Sequence, residues 1–154
     1  MNIIYAPHCD DEIIGCFELI CNPDEEFIIY YTHPENMNRI DEAKNLKSLL
    51  PNIKDQLFDY SFSTFEKKYT YYFPDPVYET HPDHRQIGAI GESFLRSGYN
   101  VIFYSINMKA PYIHKVKNPD NKEFLLNQIY PLQNKLWEYD KTFILFEGRC
   151  KWLI

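Results

Sequence analysis

The chain has 154 residues, with 16 Lys and Arg against 22 Asp and Glu and a formal net charge of −6. That length suits one domain of roughly 100–200 residues, and 45% hydrophobic with 25% charged residues excludes a disordered chain. The acidic balance argues against charge-driven nucleic-acid binding, which needs clustered Lys and Arg, and no apolar run approaches the roughly 20 residues of a membrane span. In chain order, Asn2–Ala6 is a β-rich run stopped by Pro7. Ile13, Ile14, Phe17 and Ile20 recur at helical spacing and predict a helix over 12–21, broken by Asn22-Pro23-Asp24. Phe27–Tyr31 reads as a buried strand. Residues 37–50 place Ile40, Ala43, Leu46 and Leu50 on one face of a second helix that Pro51 ends. A shorter strand is expected over 57–62 and an aromatic loop over 67–80. A helix over Pro82–Arg96, stopped by Gly98, leads to a strand over Asn100–Ser105. Residues 109–121 read as a loop or short strand, and 121–139 as a long helix. Strand–helix alternation predicts an α/β fold, a mostly parallel sheet flanked by helices in a single domain over 1–154.

The start, Met1 to Pro7, is strand-like and reaches polar residues at once, so no signal peptide is expected. Cys9, Cys16, Cys21 and Cys150 form no Cys-x-x-Cys pair or disulfide-framework spacing, and free thiols in a reducing cytoplasm are the simplest expectation.

Two clusters carry chemistry. His8-Cys9-Asp10-Asp11-Glu12 lies between the first strand and the first helix, the crevice where open α/β sheets bind ligands. A tight strand-to-helix turn can bring His8 and Asp11 together, an imidazole and a carboxylate suited to Zn²⁺. The competing reading is an acidic helix start favoured by the dipole. His81-Pro82-Asp83-His84-Arg85 also opens a predicted helix, with Pro82 suited to a first-turn position and Asp83 able to orient an imidazole by accepting its N–H. Together the clusters predict a metal site of His8, Asp11 and either His81 or His84. Three protein ligands with an open fourth position is the catalytic zinc arrangement, in which the pKa of bound water falls to about 7. Asp10 is then left to take the water's proton and the spare histidine to stabilise an oxyanion, which describes amide or ester hydrolysis.

Ala6-Pro7-His8-Cys9-Asp10-Asp11-Glu12-Ile13-Ile14-Gly15-Cys16 resembles the Ala-x-His-Pro-Asp-Asp-Glu signature of the LmbE-like, or PIG-L, zinc-dependent N-acetylglucosaminyl deacetylase family. His81-Pro82-Asp83-His84-Arg85, followed by Gly88, is similar to its second motif, and Arg39-Ile40-Asp41-Glu42-Ala43 to its Arg-x-x-Glu-Ala helix. Tyr130-Pro131-Leu132-Gln133 and Phe146-Glu147 resemble, less specifically, its Tyr-x-Ser-Gln segment and late Phe-Glu. The resemblance implies a Rossmann-like sheet and zinc-dependent removal of an acetyl group from an N-acetyl amino sugar or its conjugate. It implies His8, Asp11 and His84 as ligands of one Zn²⁺ per chain, with another divalent metal as the alternative. Asp10 would be the general base, and His81, with Asp83 behind it, the oxyanion stabiliser or acid. Arg39 would contact substrate, against the alternative of a surface Arg near Glu42. Departures from the pattern are Cys9 in place of Pro, which adds a thiol near the metal, Phe17-Glu18 in place of glycines, and a short chain.

Of the other polar and aromatic residues, His33-Pro34 at the end of the second strand reads as a loop or a substrate contact, and His114 as a late-loop substrate contact. Tyr69 to Tyr78, with Tyr72 and Tyr78 foremost, would either stack on a sugar ring or pack over the sheet. The aromatic content of 17% has its densest stretch there. The expected partner is a small N-acetylated sugar conjugate, bound in an open site or one completed by a second copy of the chain. The alternatives are the same chemistry on an acylated amine of a nucleotide or modified nucleic acid, and a non-catalytic zinc-stabilised binding module.

Overall fold

The computed structural model describes residues 1–62 and 66–152. The single-domain reading over 1–154 also spans 63–65 and 153–154, which lie outside the described residues. Asn2–Ala6 (β1), Phe27–Tyr31 (β2), Ile53–Leu57 (β3), Thr70–Pro74 (β4) and Asn100–Ser105 (β5) form a parallel sheet in the order β3-β2-β1-β4-β5. His114–Lys115 (β6) and Phe146–Cys150 (β7) add antiparallel strands beyond β5, making a seven-stranded mixed sheet. The helices are Asp11–Ile20 (α1), Met37–Ala43 (α2), Leu46–Leu49 (α3), Pro82–Arg96 (α4), Pro119–Ile129 (α5), Lys135–Tyr139 (α6) and Thr142–Leu145 (α7), with a 3₁₀ turn at Pro131–Gln133. The expected α/β architecture is present. No helix among the described residues is long and apolar enough to cross a membrane.

Both faces of the sheet are covered, which is why its central strands are apolar throughout rather than alternating. Side chains alternate between faces with a period of two. Tyr5, Tyr71 and Phe73 therefore enter one core with Val101, Phe103 and Ile87 of α4. Ile4, Ala6 and Tyr72 enter the other with α1, α5 and Trp137. The Tyr5 ring stacks on Phe73 at 4.5 Å and on Tyr30 at 5.1 Å.

Several local expectations are corrected. The third strand occupies Ile53–Leu57, not 57–62. The stretch 67–80 is not a loop throughout, because Thr70–Pro74 is a central strand paired with both β1 and β5. Tyr72 is buried and cannot stack on a ligand. The helix over 37–50 is two short helices, and the helix over 121–139 is interrupted at Pro131, whose missing N–H cannot continue the ladder.

α1 is itself interrupted at Cys16, where φ is −135° and ψ 24°. Its freed carbonyls are taken by two cations from elsewhere, buried Lys122 and partly buried Arg149. Lys122 Nζ donates to Ile14 O at 2.7 Å and Arg149 Nη1 to Gly15 O at 3.3 Å, while Glu147 accepts from the Glu18 N–H at 3.3 Å. Lys122 and Glu147 are both fully buried, 3.5 Å apart.

Candidate functional site

In the order β3-β2-β1-β4-β5, chain connections run opposite ways from β1 and β4, so a crevice opens beyond the carboxyl ends of these two strands. The loop after β1 carries His8 to Asp11, and the segment after β4 carries Glu79 to His84. Two clusters separated by more than seventy positions are thus delivered to one place by adjacent strands. Gly88 permits the close seating of α4, since a Cβ there would stand 2.6 Å from the carbonyl oxygen of Pro74.

Asp11 is the hub. One carboxylate oxygen, Oδ2, accepts from the His8 backbone N–H at 2.8 Å and lies 3.0 Å from His84 Nε2 and 3.4 Å from His8 Nδ1. Ligand atoms of His8, Asp11 and His84 all lie within 4.8 Å of one another, and all three residues are buried. His84 is fixed from behind. Its Nδ1 is 3.1 Å from Glu79 Oε1, and Glu79 also accepts from the Ile106 N–H, Ser105 Oγ and Asn107 Nδ2. Donation from Nδ1–H to Glu79 leaves Nε2 facing Asp11, the nitrogen a metal would take on displacing its proton, as in the carboxylate–histidine arrangement of metal ligands. On the other side, His8 Nε2 lies 2.7 Å from Asp83 Oδ2, so Asp83 can hold that ring with its Nδ1 towards Asp11. Two imidazoles and a carboxylate, each ring backed by a second acid, fit a divalent metal of the zinc class.

Electrostatics follow from this packing. Burial alone would lower His84, but the charge and hydrogen bond of Asp11, joined by Glu79, raise its pKa to about 10. Burial would raise Asp11; the charge of His84 and the hydrogen bonds from His8 and His84 overturn that and hold it well below the usual carboxylate range. Asp83 is likewise lowered, because its bond to His8 and the neighbouring imidazoles outweigh its partial burial.

Asp10 is set apart from the ligands. It is buried, and its carboxylate pKa is pushed well up by burial first, then by the charges of Asp11 and Glu12. Its backbone sits at φ 133°, a region that costs a non-glycine residue about 1–3 kcal/mol. Although it occupies the N-cap position of α1, its side chain makes no cap hydrogen bond. Instead, Asp10 lines a cavity of about 260 Å³ together with His8, Asp11, His81, His84 and Arg39. Larger grooves of about 480 and 630 Å³ exist, but neither contains this cluster. The second adjoins the cavity through Arg39, Leu136 and Phe143.

His81 N-caps α4: its Nδ1 accepts from the Asp83 N–H at 3.1 Å, which places the proton of the neutral ring on Nε2. Its ring lies 4.7 Å from that of His8. The carboxylate of Asp83 lies 3.9 Å from His81 and 2.7 Å from His8, so the ring it orients is His8 rather than His81. Arg39 pairs with Glu35 at 3.4 Å, not with Glu42. Glu42 is buried and accepts from Leu132 N and Gln133 Nε2, tying α2 to the 3₁₀ turn. Tyr130 donates to the buried Glu12.

Not every expected residue reaches the site. His114 lies 2.7 Å from Glu18, in the last turn of α1 at the far end from Asp11. Tyr78 packs edge-on against Tyr112 at 6.2 Å and does not line the cavity. Cys9 is buried in the core, where burial and then Glu12 push its thiol pKa up, so it is a packing residue rather than a soft ligand. Glu79 braces His84 and Glu35 lines the cavity, residues whose sequence signal is no more than a single acid near His84 and near His33. Comparison with known protein families, curated proteins and solved structures found no match to this chain.

Proposed function

We propose that the chain is a zinc-dependent amidohydrolase that removes an acetyl group from an N-acetyl amino sugar or sugar conjugate. The observation that carries the reading is the juxtaposition of a metal-competent trio with an acid it does not use. Asp10 lies in the same cavity as His8, Asp11 and His84, in a strained backbone conformation. The resemblance of both motifs to the LmbE-like, or PIG-L, deacetylases supports the same chemistry and supplies the substrate class.

When bound, a zinc-class ion supplies Lewis acidity, polarising the amide carbonyl and lowering the pKa of water to about 7. His8, Asp11 and His84 would hold it, with Asp83 and Glu79 keeping the two rings in ligating orientation. Asp10, whose carboxylate pKa is raised by burial and by the charges of Asp11 and Glu12, accepts the proton of the attacking water. His81 directs its Nε2–H at the oxygen on which negative charge develops. Asp10 then returns the proton to the departing amine, and Arg39 at the cavity wall contacts the sugar portion.

Acetate release from a panel of N-acetyl hexosamine conjugates tests the reading, with metal content measured on the same samples. Asp10→Asn should retain metal while losing about 100- to 10,000-fold in kcat; an unchanged rate would reject Asp10 as the base. His84→Ala should lose the metal, and full retention would reject the ligand assignment.

A further inference from the structure

We propose that the groove lined by Gln133, Leu136, Tyr139 and Phe143 is the subsite for the group attached to the amino sugar, and that this group is a neutral aromatic one carrying a hydrogen-bond donor. The inference rests on the deacetylase reading of the cavity and names the second part of the conjugate.

Continuity with the cavity is the first observation. Arg39, Leu136 and Phe143 line both the cavity of about 260 Å³ and the groove of about 630 Å³. The cavity alone is smaller than the roughly 300–1,000 Å³ of sites that bury a whole drug-sized ligand. It suits a sugar ring with its acetamido group, and a group joined to that ring has to leave it. The groove is wider and lies directly beyond the three shared residues.

The chemistry of the wall selects the occupant. Leu136 and Tyr139 stand three apart on α6, a spacing that puts two side chains on one face of a helix. Leu136 is 44% exposed and Tyr139 94%. Folding therefore leaves apolar surface uncovered at the lip of the cavity, the mark of a binding groove. The open Tyr139 ring offers a face on which a second ring can stack. Gln133 supplies an independent observation. It lines the same groove and is itself buried; its Nε2 donates to Glu42 Oε1 at 3.2 Å, and its Oε1 has no partner. Buried acceptors are rarely left open, and an O–H or N–H on the bound group would fill this one. The charged residues of the wall are of both signs, Lys135 and Asp140, and Arg39 is already paired with Glu35 at 3.4 Å. A neutral group suits this balance better than a phosphate.

Calorimetric titration of the metal-stripped full chain, which separates binding from turnover, tests this with phenyl and methyl N-acetyl-β-glucosaminide. The phenyl glycoside should bind at least about tenfold more tightly than the methyl glycoside. Tyr139→Ala, which alters an exposed residue outside the cavity, should reduce that ratio to about twofold or less and leave the methyl glycoside's affinity unchanged. Of the ortho-, meta- and para-hydroxyphenyl glycosides, at least one should bind more tightly than phenyl, and Gln133→Met should abolish that gain. Equal affinities for phenyl and methyl in the wild type, or an undiminished ratio in Tyr139→Ala, overturns the proposal. A hydroxyl that brings no gain at any position overturns the Gln133 contact. Failure of the deacetylase reading would look different: the aryl preference in binding would persist while the zinc-loaded chain released no acetate.

Discussion

Glu79 shows how one loop carboxylate can fix the orientation of a neighbouring histidine. It is buried, accepts from three groups around the end of β5, and spends its remaining capacity on His84 Nδ1. Removing its charge while keeping its shape should loosen the imidazole without unfolding the site. Glu79→Gln is expected to weaken metal affinity by about 10- to 100-fold, measured by competition with a chromophoric chelator. An unaltered affinity would mean that His84 is oriented by packing alone. His8, Asp10, Asp11, His81 and His84 were all legible in the sequence, because two dense clusters at predicted helix starts stand out against any background. Glu79 and Glu35 were not, since each is one acid in a loop whose partner is set by tertiary structure. The misplacement of His114 has the same origin: nothing local says towards which end of α1 a late loop folds.

At the level of elements, the strands and helices with strong periodicity were readable and those ruled by packing were not. β1, β2, β5 and α4 follow the bounds expected from their apolar patterns and stop residues. β4 was hidden because its Tyr-Tyr-Phe run sits among Pro and Tyr and resembles a loop by composition. Its aromatic side chains divide between two cores only because the strand is central. The split of α1 at Cys16 is another tertiary effect, stabilised by Lys122, Glu147 and Arg149. Glu147 is the common counter-charge, and taking it away leaves Lys122 buried with its charge unpaired. Glu147→Gln is expected to lower unfolding stability by about 3–5 kcal/mol in denaturant titration. A loss below about 1 kcal/mol would show that the cations are satisfied by the carbonyls alone.

For the molecule as a whole, the sheet order places the site and the site's charges govern how stability varies with pH. Without metal, the His84 pKa rises from 6.5 to about 10, so its contribution is full below pH 6.5 and is lost as pH rises towards 10. Glu12, raised by burial to about 7, acts in the same direction between 4.5 and 7. Lys122, lowered by burial to about 8, opposes the trend only between about 8 and 10.5. The metal-free protein should therefore lose Tm as pH rises from 6.5 to about 8, and a flat Tm across that window would refute the protonated His84–Asp11 pair. A metal must displace that same proton, so metal affinity should fall as pH falls. The aromatic wealth of the sequence divides between the two cores, and beneath α4 it stacks around Tyr5 and Phe73. The site is left with a small cavity beside a wider groove.

The most direct measurement is acetate release from an N-acetyl hexosamine conjugate as zinc is returned stepwise to the metal-stripped protein. The stripped chain should be inactive, and release should rise in proportion to zinc up to about one equivalent per chain. Acetate release that survives complete removal of metal, or that never appears with the inner site filled, would contradict the account.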